Sequence, residues 1–353
     1  MEVRPQGLYC AAGDFYIDPW RGVGRALITH AHGDHARYGS RHYLCAPSCE
    51  PILRHRLGKI SAESLPYAET RRIGEATVSL HPAGHVLGSA QIQVEARGEV
   101  WVVSGDYKRQ SDVSCEGFEP VPCDCFITEA TFGLPIYRWD STQAVVDQIV
   151  RWHEGNAAEG VNSVLYAYAL GKAQRLLGGL KDRLDQPVLL HGALVGLTQL
   201  YRDLGIDLAD TERVAPDRKG EKHAGRLVIA PPSAYGTTWL RRFRPFSDAF
   251  VSGWMRVRGI RRRRGYDRGF VMSDHIDWPD LLQTIEETGA SRVLTTHGET
   301  EAVARFLRQE RGLRAEELET AYTGEDGSAE TSEDEVQTEN PDADTAPAPE
   351  VAK

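Results

Sequence analysis

The stretch Thr29-His30-Ala31-His32-Gly33-Asp34-His35 decides how this chain is read. Four metal-binding side chains fall within six residues, directly after the apolar run Arg25-Ala26-Leu27-Ile28. Imidazole and carboxylate together form a donor set that suits zinc. If a strand runs through the motif, His30 and His32 point to one side, because strand side chains alternate with period two. A turn loosened by Gly33 then swings Asp34 and His35 toward a second ion. The segment is therefore read as built for two metals. A solvated histidine-rich loop is the plainer alternative, and this spacing after an apolar strand disfavours it.

Three further candidates lie downstream. His85 sits in His81-Pro82-Ala83-Gly84-His85-Val86-Leu87-Gly88-Ser89-Ala90, Asp106 in Ser104-Gly105-Asp106-Tyr107, and His297 between Arg292-Val293-Leu294-Thr295-Thr296 and Gly298-Glu299. Each follows a β-branched or apolar run and stands beside a glycine. Ligands on loops at strand ends fit a rigid scaffold that carries function on its edge.

The order of these motifs resembles the metallo-β-lactamase fold. Ile127-Thr128-Glu129-Ala130-Thr131-Phe132-Gly133 resembles the acidic first motif of the β-CASP nucleases. Ser273-Asp274-His275-Ile276-Asp277-Trp278 resembles their second motif and Thr296-His297-Gly298-Glu299 their third. Leu170-Gly171-Lys172-Ala173-Gln174 resembles the helix start of their cap domain. The likeness spans roughly residues 8–315. Within the family the chain most resembles the bacterial ligase-associated DNA damage response exonucleases. These are related to Artemis-type DNA repair nucleases and to the RNA 3′-end processing endonucleases.

The resemblance implies a fold, a cofactor and a set of roles. The fold is α/β: a metallo-β-lactamase αββα sandwich with an inserted β-CASP α/β cap. Residues 1–136 form the first part of the metallo-β-lactamase domain, 137–255 the cap, 256–322 the second part, and 323–353 an acidic disordered tail. Two Zn2+ ions are implied, with Mn2+ as the alternative. His30, His32 and His85 are the expected ligands of the first ion, Asp34, His35 and His297 of the second, with Asp106 bridging. His81 competes with His85, and the Gly84-His85 match favours His85. Asp18, in Tyr16-Ile17-Asp18-Pro19, is expected to brace the metal loop; its plainer reading is a turn aspartate before proline. The catalytic candidates are Asp34, His275 and Glu129. A zinc-bridged hydroxide would attack phosphorus in line, and His275, held by Glu129, would protonate the leaving oxygen.

Composition agrees with a soluble cytoplasmic enzyme. No apolar run approaches the ~20 residues of a membrane span, and Met1-Glu2-Val3-Arg4-Pro5-Gln6 shows no signal-peptide pattern. The length calls for two domains. The six cysteines are scattered, which argues for reduced thiols. A separate zinc site at Cys115, Cys123 and Cys125 lacks the paired spacing such sites use.

The net charge of −10 looks wrong for a nucleic-acid enzyme until it is divided. Residues 324–353 hold ten Asp or Glu and one Lys, a net of −9, so the remaining 323 residues carry 40 basic and 41 acidic side chains, a net of −1. The tail is poor in large apolar residues and is expected to be disordered. It serves hydration, or it competes with nucleic acid for basic ground. In the body, Arg256, Arg258, Arg261, Arg262, Arg263, Arg264 and Arg268 crowd into thirteen residues before His275. Guanidinium forks suit phosphate oxygens, so Arg258 and Arg261 to Arg264 are candidate backbone contacts. A solvated Arg-rich surface is the alternative, in a chain with 34 Arg to 7 Lys. Lys172, at a helix start where free N–H groups favour phosphate, is a further candidate.

From about Tyr137 the pattern alternates helix and strand. Helices are expected at 142–153, 173–183 and 197–204, and strands at 163–168, 187–191 and 227–230, which reads as a parallel α/β unit. The chain then returns through 268–272, with a helix at 278–288, a strand at 292–296 and a helix at 301–311. Together these readings predict a zinc-dependent nuclease, most simply a DNA exonuclease acting on ends in repair, with single-stranded or end-processed DNA as partner. The resemblance adds a DNA ligase and a helicase as pathway partners, and no membrane. His297 is a departure, because Artemis-like nucleases lack a third-motif histidine. An RNA-processing endo- or exonuclease is therefore the main alternative, ahead of a small-molecule metallo-hydrolase or a binding module.

Overall fold

The computed structural model describes residues 1–214, 223–257, 259 and 265–318. Arg258, Arg261, Arg262, Arg263, Arg264 and the acidic tail 323–353 lie outside the described residues. The described chain is mixed α/β and builds three sheets.

The first sheet runs in chain order through β1 (Glu2–Arg4), β2 (Gly7–Cys10), β3 (Phe15–Ile17), β4 (Arg25–Leu27), β5 (His42–Cys45) and β6 (Ala62–Ser64), with helix α1 (Cys49–Leu57) between the last two. The second begins with β7 (Thr70–Ile73), β8 (Ala76–Pro82), β9 (Ala90–Ala96), β10 (Glu99–Val103) and β11 (Cys125–Ala130). The residues that line one side of β8, Ala76, Val78 and Leu80, are all buried, as the period-two rule requires of a half-covered strand.

The chain then leaves this sheet. Helix α2 (Thr142–Ala158), capped by the Ser141 side chain accepting from Ala144 N at 3.2 Å, leads to a third sheet. Its strands are β12 (Asn162–Tyr166), β13 (Val188–Leu190), β14 (Thr211–Arg213), β15 (Leu227–Ala230), β16 (Phe246–Val251) and β17 (Arg268–Phe270), in the spatial order β14-β13-β15-β12-β16-β17. All its pairings are parallel. Helices α3 (Lys172–Gly179) and α4 (Gly192–Asp203) are its crossovers. A parallel sheet needs such connections and buries both faces; β12, β13 and β15 are buried throughout.

The return closes the second sheet. Helix α5 (Trp278–Thr288) is capped by Asp277, which accepts from Asp280 N at 3.1 Å, and is ended by Gly289 in the left-handed region. Strand β18 (Arg292–Gly298) then pairs in parallel with β11, so the third sheet is an excursion between two neighbouring strands. Helix α6 (Thr300–Glu310) and β19 (Arg314–Glu317) finish the described chain. The expected elements differ from these mainly at their ends. The strands not foreseen include β14, which is largely polar, β16, whose Phe246-Ser247-Asp248 start breaks the apolar pattern, and β19, whose Arg314-Ala315-Glu316-Glu317 is mostly charged.

Among the described residues no helix is long and apolar enough to cross a membrane. All six cysteines are free thiols. Burial pushes Cys115, Cys123 and Cys125 each up to about 12, so these groups stay protonated at neutral pH.

Candidate metal centre

The site is assembled from strand ends. Strands β10, β11 and β18 run parallel and side by side, so their carboxyl ends come out together. Asp106 follows β10, Glu129 stands near the end of β11, and His297 near the end of β18. His85 lies on the β8–β9 connection.

The histidine motif does not continue a strand, as period two required. Strand β4 stops at Leu27, and His30 and His32 sit on the loop beyond it. The cause is Asp18, whose Oδ1 accepts from Thr29 N at 2.8 Å and so removes that amide from the ladder. Asp18 Oδ2 also accepts from Thr29 Oγ1 at 2.5 Å and lies 2.8 Å from His35 Nδ1. One carboxylate thus ties the entry and the exit of the motif together. It does so at a φ of 43°, a conformation rare outside glycine and aspartate-like residues. Gly105, before Asp106, is also positive in φ; a Cβ there would lie 2.6 Å from Thr29 Cβ, so the two loops pack too closely for a side chain.

Four buried groups converge. His32 Nδ1 lies 3.1 Å from His30 Nε2 and 3.0 Å from His85 Nε2, and Asp106 Oδ2 lies 3.6 Å from His30 Nε2 and 3.8 Å from His85 Nε2. The outer nitrogen of each ring is engaged elsewhere: His30 Nδ1 with Thr29 Oγ1 at 3.1 Å, His32 Nε2 with Leu170 O at 3.2 Å, His85 Nδ1 with Asp274 O at 2.8 Å. An outer N–H bonded to oxygen fixes the tautomer that turns the ring's other lone pair inward. Three inward lone pairs within hydrogen-bond distance repel unless a cation lies among them. Burial lowers His30 and His85 well below the usual imidazole value and His32 to about 4, which keeps these rings neutral, the form that ligates.

A second group adjoins the first. His30, Asp34 and His35 bring ligand atoms within 4.8 Å of one another. His35 Nε2 lies 3.5 Å from Asp34 Oδ2 and 3.4 Å from Asp106 Oδ2. Asp34 Oδ1 and His35 Nε2 are buried without a hydrogen-bond partner. Burial opposes a charge on His35, yet Asp34 and Asp106 outweigh it and raise its pKa. Burial likewise opposes a charge on Asp106, but His35 and His275 hold that carboxyl well below its ordinary range. A divalent cation satisfies the unused Asp34 lone pair and the close carboxylates and displaces the proton they otherwise favour on His35, so the donor set fits two such ions.

His297 stands beside this group, outside the tight clusters. Its ring stacks on His35 with centroids 5.1 Å apart, and its Nδ1 lies 3.0 Å from Thr296 Oγ1. Thr296 pairs with Glu129 and Gly298 with Ala130, so His297 is the extra residue of a β-bulge, with φ 56°. Bulges re-aim a side chain out of the alternating pattern. An apolar cavity lined by Val3, Leu8, Trp20, Ile127 and Leu318 opens against Asp34, His35 and His297.

A third group joins Asp106, Glu129 and His275. His275 Nδ1 lies 2.8 Å from Glu129 Oε2 and 3.9 Å from Asp106 Oδ2. The other Glu129 oxygen accepts from Tyr107 N at 2.8 Å. Trp139 Nε1 donates to His275 O at 2.9 Å, and Phe132 packs on the His275 ring. Trp254 packs on Phe132 and Tyr137, and Trp278 on Phe306.

Lys172 is buried, and its Nζ lies 2.9 Å from Asp274 Oδ2, so it meets a carboxylate rather than an open groove. His81 bonds Ser79 and Gln93, away from the cluster. The sequence reading assigned no role to Arg175, on helix α3, or to Asp274, which it quoted only as a neighbour of His275; both touch the site. The signal for Arg175 was the sequence Lys172-Ala173-Gln174-Arg175, a polar helix start that the structure buries entirely; that for Asp274 was its place directly before His275.

No family model matches the chain. A protein described as a probable DNA ligase from Opitutus terrae is 35% identical over 316 residues, which is 88% of this chain and 30% of that protein. The cleavage and polyadenylation specificity factor 73 of Drosophila melanogaster is 28% identical over 198 residues, 52% of this chain and 28% of the relative. An RNase J-like protein of Methanocaldococcus jannaschii is 23% identical over 218 residues, 51% and 50% respectively. The chain therefore spans half or less of the length of these relatives. A crystal structure of a protein of unknown function from Enterococcus faecalis V583 has a TM-score of 0.58 at 12% identity, over 84% of this chain and 79% of that one, and shares the fold alone. The relatives support the broad class of metallo-β-lactamase-fold nucleases and do not single out the ligase-associated exonucleases within it.

Proposed function

We propose that this chain is a zinc-dependent nuclease that hydrolyses phosphodiester bonds, acting as an exonuclease on DNA ends. The observation that carries the reading is the junction at Asp106. Its Oδ2 faces the buried histidine cluster on one side and lies 3.9 Å from His275 Nδ1 on the other. A proton donor thus stands against a donor set for two cations. In this reading residues 1–136 and 256–322 form the metallo-β-lactamase sandwich and 137–255 the cap, with the last strand of the cap's parallel sheet, β17 (Arg268–Phe270), supplied by residues beyond 255.

His30, His32, His85 and Asp106 would hold one ion, and Asp34, His35 and His297 with Asp106 the other. Bound there, two divalent ions supply positive charge for the phosphoryl transition state and a nucleophile near neutral pH. The chain's own residues do the rest. Asp18 keeps Thr29 and His35 in register, so the donors need no rearrangement. Glu129 holds the Nδ1–H of His275, so the proton for the leaving oxygen comes from Nε2. Phe132 packs on that ring, and Trp139 holds the His275 main-chain carbonyl behind it. The arginines 258 and 261–264 bind the nucleic-acid backbone, with affinity that falls steeply with salt. Zinc suits the imidazole-rich set, with Mn2+ as the alternative.

The relative described as a probable DNA ligase, matched over 88% of this chain, supports DNA as the substrate and a ligase as a pathway partner; a helicase is proposed from the family resemblance alone. RNA is the second reading, favoured by His297 beside Asp34 and by the relatives named as RNA-cleaving or RNA-processing proteins. The discriminating experiment uses one sequence as single-stranded DNA and as RNA, labelled at either end. Stepwise shortening of DNA supports the exonuclease. Internal cuts, or preferred degradation of RNA, reject it in favour of the RNA reading.

A further inference from the structure

Asp274 sits where the third sheet meets the metal centre. Its main-chain carbonyl lies 2.8 Å from His85 Nδ1, and the next residue is His275. Its carboxylate is gripped from helix α3 of the excursion: Lys172 Nζ is 2.9 Å from Oδ2, and Arg175 Nη1 is 2.9 Å from Oδ1. Arg175 Nη1 also donates to Ser273 O at 2.5 Å, and its Nη2 donates to Thr142 Oγ1 at 2.6 Å and to Gln110 Oε1 at 3.1 Å. Its Nε lies 3.4 Å from Asp112 Oδ2, and Asp112 pairs with Lys108 at 2.7 Å.

Arg175 is 2% exposed and Asp274 5%. Buried ion networks are costly, and apolar packing closes an interface as well. What the network adds is geometry. The guanidinium takes the Ser273 carbonyl and the Asp274 carboxylate together. It thereby fixes the peptide planes that present Asp274 O to His85 and that start His275.

We infer that Arg175 is a positioning residue of the metal centre: with Lys172, and through Asp274, it sets the orientation of His85 and the placement of His275. The inference rests on reading the histidine cluster as a metal centre. It gives the inserted unit a second task beside covering substrate, since α3 cannot move away without loosening a ligand.

The test is chelator competition for zinc, read beside thermal unfolding, on the full chain. The variants are Arg175→Met, Arg175→Lys, Asp274→Asn, the double variant Arg175→Met with Asp274→Asn, and Arg226→Met. Arg226 is the control; it belongs to the same unit, where its Nη2 donates to Pro187 O at 2.9 Å. Removing an outer partner of a metal-bound histidine weakens metal binding about 10–100-fold. Arg175→Met and Asp274→Asn leave the Asp274 carbonyl in place and free only its orientation, so a loss up to that size is expected in both, with Arg175→Lys falling between. The double variant should lose no more than the worse single one, because both act through one contact. Arg226→Met should lower the melting temperature and leave zinc affinity unchanged. Affinity within about twofold of wild type in the two single variants, an additive double variant, or an equal loss in Arg226→Met overturns the inference. If Arg175→Met does not fold, the isosteric Asp274→Asn carries the test alone. A wild type that binds zinc but cleaves no nucleic acid rejects the nuclease reading while these comparisons still decide the positioning role. A wild type that binds no zinc overturns both.

Discussion

His275 Nδ1 and Glu129 Oε2 lie 2.8 Å apart, although 146 residues separate them in the chain. Glu129 is fully buried at the end of a central strand, and its second oxygen is occupied by Tyr107 N. The carboxylate cannot turn away, so the imidazole is held in one orientation beside Asp106.

His275→Ala should therefore lower turnover about 10²–10⁴-fold, the usual range for a positioned acid. Zinc content should stay at the wild-type level, because His275 is not among the proposed ligands. Glu129→Gln should fall less far. Steady-state kinetics beside metal analysis checks this; wild-type turnover in His275→Ala removes the acid assignment.

Asp18→Ala should cost stability and metal together. It strands Thr29 N and His35 Nδ1, both bonded to Asp18 at 2.8 Å. Each buried group left unpaired costs about 1–3 kcal/mol. The urea midpoint should drop, and zinc should be lost at lower chelator concentration than from wild type. A variant as stable as wild type would mean that Asp18 is an ordinary turn residue.

Gly298→Ala probes the bulge. Gly298 has φ 76°, and a Cβ there would lie 2.5 Å from Ala130 O and 2.5 Å from Thr131 Cα, both backbone atoms. A left-handed alanine alone costs about 1–2 kcal/mol, and the clash adds to it. We expect a lower melting temperature and weaker retention of the second equivalent of zinc, because the bulge aims His297. An unchanged melting temperature would show that the bulge relaxes freely.

The acid limb of stability should run through Asp112. Burial opposes its charge, but Lys108 and Arg175 outweigh it and hold the carboxyl below the ordinary 3.8. The unfolded chain then binds the proton more readily than the folded one. The contribution is whole above 3.8 and is lost as the pH falls through the lower folded value. Asp112→Asn should lose stability at neutral pH and show a shallower acid decline. Denaturation midpoints across acidic pH measure both; parallel curves for variant and wild type would contradict the assignment.

The parts legible in sequence were those with a local signal. His85 and Asp106 each stand beside a strand end and a glycine, His30, His32, Asp34 and His35 share one short motif around Gly33, and the structure brings these six within a few ångströms. Trp278–Thr288 and Leu227–Ala230 have the expected limits, because Asp277 and Gly289 punctuate the helix and the strand is a pure apolar run. The illegible parts depend on tertiary partners. Nothing near Thr29 shows that Asp18 will take its amide and end β4. Lys172 reads as a solvent-facing cation at a helix start until Asp274 arrives from a hundred residues away. His297 alternates normally in the sequence, and only its pairing with β11 reveals the extra residue.

The central claim, metal-dependent phosphodiester hydrolysis, is tested most directly by stripping the wild type with chelator and restoring it with Zn2+ while following cleavage of end-labelled single-stranded DNA. Asp34→Ala and Asp106→Ala serve as paired variants. The account predicts that stripping abolishes cleavage, that Zn2+ restores it, and that both variants stay inactive with reduced zinc content. Cleavage that persists in the stripped enzyme, or in either variant, contradicts it.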